Sequence, residues 1–105
     1  MNVFIDGSAG TTGLRIHQRL SERSDITLIT LPEQRRKDIS ARRQAINSAD
    51  IVFLCLPDEA AKESVYLCEN SNTVIIDTST AHRTDPHYMH YYYLINILKL
   101  IIKIL

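Results

Sequence analysis

Apolar and polar positions alternate along this chain in short, regular blocks. Residues 2–6, NVFID, form an apolar, β-branched run that predicts a buried strand. A glycine-punctuated turn follows at residues 7–13. Residues 12–21 then read as a helix, with Leu14, Ile16 and Leu20 as apolar positions and Arg15, Gln18 and Arg19 as polar ones. A second strand falls within residues 25–31 and is ended by Pro32, and a charged loop leads to Ile39. Residues 40–48 read as a helix with Ser40 as N-cap and Ala41, Ala45 and Ile46 facing inward. The run IVFLCL at residues 51–56 suits a strand covered on both faces. Pro57 and Asp58 open a third helix through Ala60, Ala61, Val65 and Leu67, with Asn70 near its end, and residues 73–77, TVIID, form a fourth strand. A β-α-β-α-β-α-β order at this spacing predicts an α/β fold. The expected form is a Rossmann-like, right-handed parallel sheet of about four strands with flanking helices, as part of a domain.

The pattern breaks after Pro86. His87 to Tyr93 holds two His and four Tyr in seven residues, and LINILKLIIKIL follows. Asn96, Lys99 and Lys103 lie at helical spacing, so an amphipathic helix fits, as does a strand; a shifted reading frame is a third reading. The chain thus divides into residues 1–86, an incomplete nucleotide-binding domain, and residues 87–105, an atypical apolar tail. The twelve residues of the LINILKLIIKIL run fall short of the roughly 20 needed to span a bilayer, so no membrane span is expected.

The length of 105 residues allows a single small domain, and a formal net charge of zero removes the global basic field expected of a nucleic-acid binder. Cys55 and Cys68 belong to no CxxC pair, which argues against a zinc site and for reduced, buried thiols in a cytoplasmic protein. The N-terminus has no basic stretch ahead of a long apolar run, so no signal peptide is expected.

The chemistry is concentrated at the strand ends. Gly7, Ser8, Ala9, Gly10, Thr11, Thr12 and Gly13 form a GxxGxxG turn between a predicted strand and a predicted helix. Such a turn aims backbone N–H groups at an anion at the positive end of a helix, and glycine permits close approach of a pyrophosphate. Beyond the second strand, residues 32–43 carry Arg35, Arg36, Lys37, Arg42 and Arg43 against Glu33 and Asp38, a local net of +3. Cations there suit a 2′-phosphate and hence NADP over NAD; a solvated charged loop fits the same residues. Cys55, Leu56 and Pro57 end the third strand where a turn would pass under the cofactor, with Cys55 assigned to packing. After the fourth strand, Ser79 and Arg83 can contact a carboxylate or phosphate, while His82 is either solvated or a general acid.

Four blocks, IDGSAGTTGLRI, LPEQRRKD, ADIVFLCLPDEAA and VIIDTSTAHR, occur in order within residues 4–83. They resemble the N-terminal part of N-acetyl-gamma-glutamyl-phosphate reductase, in its second, shorter type. The resemblance implies a semialdehyde-dehydrogenase-like fold, NADPH as cofactor and a step of arginine biosynthesis in which an acyl phosphate is reduced to a semialdehyde through a cysteine thioester. It implies cofactor contacts for the glycine loop and the LCLPD turn, and a place near the substrate or nicotinamide for Ser79 and Arg83. The family's cysteine stands in an Asn-Pro-Gly-Cys-Tyr motif; neither Cys55 nor Cys68 does, and the Tyr-Gly-x-Pro-Glu segment expected after Arg83 is not matched. No catalytic residue and no metal ligand is therefore assigned. The implied function is a truncated reductase, inactive alone and without the family's catalytic and oligomerisation surfaces. The alternative is a free-standing nucleotide-binding module whose tail meets a partner or a membrane surface.

Overall fold

The computed structural model describes residues 1–7 and 10–77. Four parallel strands, β1 (Asn2–Asp6), β2 (Thr27–Ile29), β3 (Ile51–Leu54) and β4 (Val74–Asp77), form one sheet in the order β2-β1-β3-β4. Three helices connect them: α1 (Thr11–Ser21), α2 (Ile39–Ser48) and α3 (Asp58–Leu67), with a single 3₁₀ turn at Glu33–Arg35 ahead of α2. This is a Rossmann-like arrangement, as the block pattern predicts.

Both faces of the sheet are covered, and the strand alternation assigns each face. Val3 and Ile5 of β1, Phe53 of β3 and Ile76 of β4 point to one side, where Ile16 and Leu20 of α1 close a core. Phe4, Val52 and Leu54 point to the other, against Ala45 and Ile46 of α2 and Ala61 and Leu67 of α3. The chain moves outward from β1 to β2 over one face, then returns past β1 to β3 over the other. The order therefore reverses between β1 and β3, and a crevice opens beyond the carboxyl ends of the strands at that point.

Several elements differ in detail from the sequence reading. The N-cap of α2 is Asp38, whose Oδ1 accepts from the Ser40 amide at 2.9 Å; Ser40 is already helical. Asp38 lies in extended backbone where its short carboxylate reaches back over the first turn, so the better cap stands two residues earlier. Leu14 is exposed, because Gly13, Ile16 and Leu20 form the stripe of α1 that faces the sheet and Leu14 falls outside it. The β2 and β3 runs are longer in apolar sequence than in ladder: β2 pairs over Thr27–Ile29 and β3 ends at Leu54, where the turn toward Pro57 begins. α3 ends at Leu67, short of Asn70. The two thiols are reduced but half-buried, Cys55 just past β3 and Cys68 at the C-cap of α3, so the expectation of buried thiols is corrected. Among the described residues no helix is long and apolar enough to cross a membrane.

Candidate functional site

The first turn beyond the sheet is set by Gly7. Its φ is +89°, a conformation that L side chains rarely adopt. A Cβ at that position would also run into the backbone carbonyl of Cys55 and the side chain of Leu56. The main chain after β1 thus lies directly against the turn after β3. One further hydrogen bond, from the Cys55 amide to the Asp6 carbonyl at 2.8 Å, ties the two together. The turn continues to Gly10, whose amide donates to the Gly7 carbonyl at 3.2 Å.

Gly10 is the N-cap of α1, in extended backbone, and makes no side-chain cap. The first intrahelical bond runs from the Leu14 amide to the Gly10 carbonyl at 2.8 Å. The amides of Thr11, Thr12 and Gly13 precede it and have no helical acceptor by geometry. The first turn carries no acidic residue. An anion at this helix start therefore meets donors and the positive end of the dipole without a competing carboxylate from that turn.

A cleft of about 490 Å³ opens beside this turn. Leu31, Leu56, Pro57 and Ala60 give it apolar walls, Gly7 and Asp6 its floor, and Arg36, Lys37, Arg42 and Glu63 its charge. It sits at the reversal of strand order, where open α/β sheets hold their ligands.

The floor is ionic and largely buried. Asp6 Oδ2 accepts from Arg42 Nε at 3.2 Å and Nη2 at 3.1 Å, and from Ser64 Oγ at 2.6 Å. Arg42 Nη2 also meets Ser64 Oγ at 2.6 Å, and Arg42 Nη1 pairs with Glu63 Oε1. Burial works against the Arg42 charge, but the carboxylates of Asp6 and Glu63 outweigh it and hold the guanidinium above its usual pKa. Asp6, Arg42 and Ser64 come from three elements, so this network joins β1, α2 and α3 under the cleft. Sequence reading missed it. Arg42 counted only as part of a basic stretch, and Asp6 only as the end of an apolar run. The available signal was an acidic residue on the same face of β1 as Phe4, a face that must be buried.

The expected site residues separate as follows. Gly7, Leu56, Pro57 and Arg36 line the cleft, and Lys37 joins them. Gly10 caps α1 and Thr11, Thr12 and Gly13 open it; none of the four is in the cleft lining, which Gly7 reaches from the same turn. Cys55 contributes its carbonyl beneath Gly7. Arg35 stands apart: it is paired with Asp38 at 3.6 Å and borders a groove with Asn2, Ile29 and Gln44. Ser8, Ala9, Ser79, His82 and Arg83 lie outside the described residues, as does the tail from residue 87.

Residues 2–99 match the family model of the semialdehyde dehydrogenase NAD-binding domain. The chain belongs to that family. It is 58% identical over 88 residues to N-acetyl-gamma-glutamyl-phosphate reductase 2 of Pseudomonas putida, which covers 84% of this chain and 28% of that protein. Similarity to N-acetyl-gamma-glutamyl-phosphate reductase of Burkholderia ambifaria is 52% over the same length and with the same coverage. The enzyme of that name from Mesorhizobium japonicum is 57% identical over 81 residues, 77% of this chain and 26% of the relative. The chain thus spans little more than a quarter of the length of these relatives. The family makes a nicotinamide dinucleotide the small-molecule partner of this fold, and the site fits one: Gly7 leaves no room for a side chain, the α1 amides face the turn, and cations border the cleft.

Proposed function

We propose that this chain is the cofactor-binding N-terminal part of a cytoplasmic N-acetyl-gamma-glutamyl-phosphate reductase, and that it takes NADP(H) in preference to NAD(H). The observation that carries the reading is the placement of Arg36 and Lys37 on the same cleft as Gly7, whose turn leads to the N-cap of α1 at Gly10. The Thr11–Gly13 amides would hold the pyrophosphate of a dinucleotide and Leu31 and Pro57 would flank its adenosine. That leaves its 2′-phosphate within the reach of Arg36 and Lys37.

When bound, the cofactor supplies hydride to an acyl group. The residues described here bind and orient it: Gly7 sets the turn, the α1 amides hold phosphate, and the apolar walls exclude water from one face of the base. A thiol that would carry the acyl group belongs to the Asn-Pro-Gly-Cys-Tyr motif, which is not among these 105 residues. Ser79 and Arg83 are proposed as contacts to the nicotinamide end or the substrate. Residues 1–86 are proposed as the cofactor-binding unit and residues 87–105 as a segment outside it.

The test is a fluorescence titration of the purified chain with NADPH and NADH. The expected result is tighter binding of NADPH, reduced about tenfold or more when Arg36 and Lys37 are both replaced by alanine, with NADH little changed. Equal losses for the two cofactors, or no binding of either, would overturn it. In the same preparation, turnover of the acyl phosphate should be absent, and clear turnover would refute the assignment of the thiol to a part not present.

A further inference from the structure

The three cations on the cleft are not equivalent. Arg36 and Lys37 are exposed, whereas Arg42 is buried and held by acceptors of two kinds. Its Nε and Nη2 face Asp6 and Ser64, both themselves buried. Its Nη1 faces Glu63, whose side chain is 46% exposed and also lines the cleft. The first set cannot let go without leaving a buried charge uncompensated, which is strongly unfavourable. The second can, because a carboxylate that is half in water recovers hydration when it leaves, and Arg42 keeps Asp6 as its buried counter-ion.

We propose that Glu63 is a specificity-determining residue: it holds Arg42 Nη1 in the unliganded protein and yields it to the 2′-phosphate of the dinucleotide, which makes Arg42 the third cation of that subsite. The inference rests on the cofactor placement given above. It follows from the charges around the cleft, three cations against the carboxylates of Asp6 and Glu63, a net of +1. Asp6 is committed to the floor, so Glu63 is the anion that competes with an incoming phosphate. A phosphate offers Arg42 the same charge-assisted geometry with more negative charge than a carboxylate. Glu63 therefore sets how strongly the site distinguishes a dinucleotide with a 2′-phosphate from one without.

The experiment measures NADP⁺ and NAD⁺ affinities calorimetrically for the full chain and for Glu63→Gln, Glu63→Asp, Arg36→Ala and Lys37→Ala, with thermal melts as a folding control. Glu63→Gln keeps an acceptor for Nη1 and removes the charge. It should tighten NADP⁺ about two- to fivefold, the effect of removing one competing, half-exposed carboxylate, and leave NAD⁺ unchanged. The gain should shrink in high salt. Glu63→Asp, which retains the charge, should keep close to the original NADP⁺/NAD⁺ ratio. An unchanged or weakened NADP⁺ affinity in Glu63→Gln, or an equal gain for NAD⁺, overturns the inference. The arginine and lysine variants separate the two levels. If they weaken NADP⁺ while Glu63→Gln leaves the ratio alone, only the role of Glu63 fails; if they leave NADP⁺ affinity untouched, the cofactor placement fails and takes this inference with it.

Discussion

Gly7 and Gly10 belong to one sequence motif but answer to different constraints. At Gly7 both the positive φ and the packed Cys55 carbonyl exclude a side chain, so Gly7→Ala should lower stability by more than about 1 kcal/mol, read as a reduced urea midpoint. At Gly10 the backbone is extended and a Cβ would meet only the Gly7 carbonyl at 3.7 Å, an ordinary contact. Gly10→Ala should therefore keep its stability within about 0.5 kcal/mol and lose cofactor affinity, since the methyl group stands where a phosphate must approach. A loss of stability at Gly10, or undiminished affinity, would argue that the turn is purely structural. Asp6 is a third case. Asp6→Ala strips the buried Arg42 of its main counter-ion and should destabilise the fold by about 3–5 kcal/mol. Cys68 gives a pH signature: burial pushes its thiol up. A raised folded value means that its contribution is complete below the pKa of the unfolded thiol and is lost as pH rises through the folded one. Stability should thus decline slightly in mildly alkaline buffer, and the decline should vanish in Cys68→Ala.

At the scale of elements, the sequence was legible where periodicity governs and silent where partners are distant. Four strands and three helices were evident because each is an apolar block bounded by Gly, Pro or charge. Their ends were less so. The apolar run through Leu31 extends past β2, because ladder pairing stops at the Phe4–Ile29 pair while burial continues along the cleft wall. The start of α2 was misplaced because two capping residues, Asp38 and Ser40, lie close together. Asp38→Ala should cost about 1 kcal/mol in denaturant midpoint, and Ser40→Ala much less. Asn47 could not have been singled out from sequence. Its Oδ1 accepts from the amides of Glu69 and Asn70 at 2.6 and 2.8 Å, and its Nδ2 donates to the Leu67 carbonyl at 3.0 Å, so it fastens the end of α2 to the segment after α3. That role depends on a helix pair whose registry no local pattern reveals.

For the molecule as a whole, the motif order carried more than composition did. A neutral net charge and two cysteines outside any CxxC spacing exclude classes without naming one, whereas the four ordered blocks anticipate the family. The strand order β2-β1-β3-β4 is a tertiary outcome, and it alone explains why the glycine turn, the LCLP turn and the Arg36–Lys37 loop share one cleft. The basic stretch divides accordingly: Arg36 and Lys37 toward the crevice, Arg35 toward Asp38, Arg42 into the floor. No reading of charge density could separate these four.

The fit between Gly7 and Cys55 is made by main chain against main chain. The side chain at position 55 takes no part in that contact, so the shape of the turn is indifferent to which residue supplies the carbonyl. What constrains the side chain at position 55 is the core on the α1 side of the sheet, against which it packs, while position 7 is constrained chiefly by main chain. The two strand ends behave as a key and its lock plate: a side chain added at residue 7 jams the fit, whereas a change of side chain at residue 55 is felt in the core and leaves the carbonyl that Gly7 meets in place.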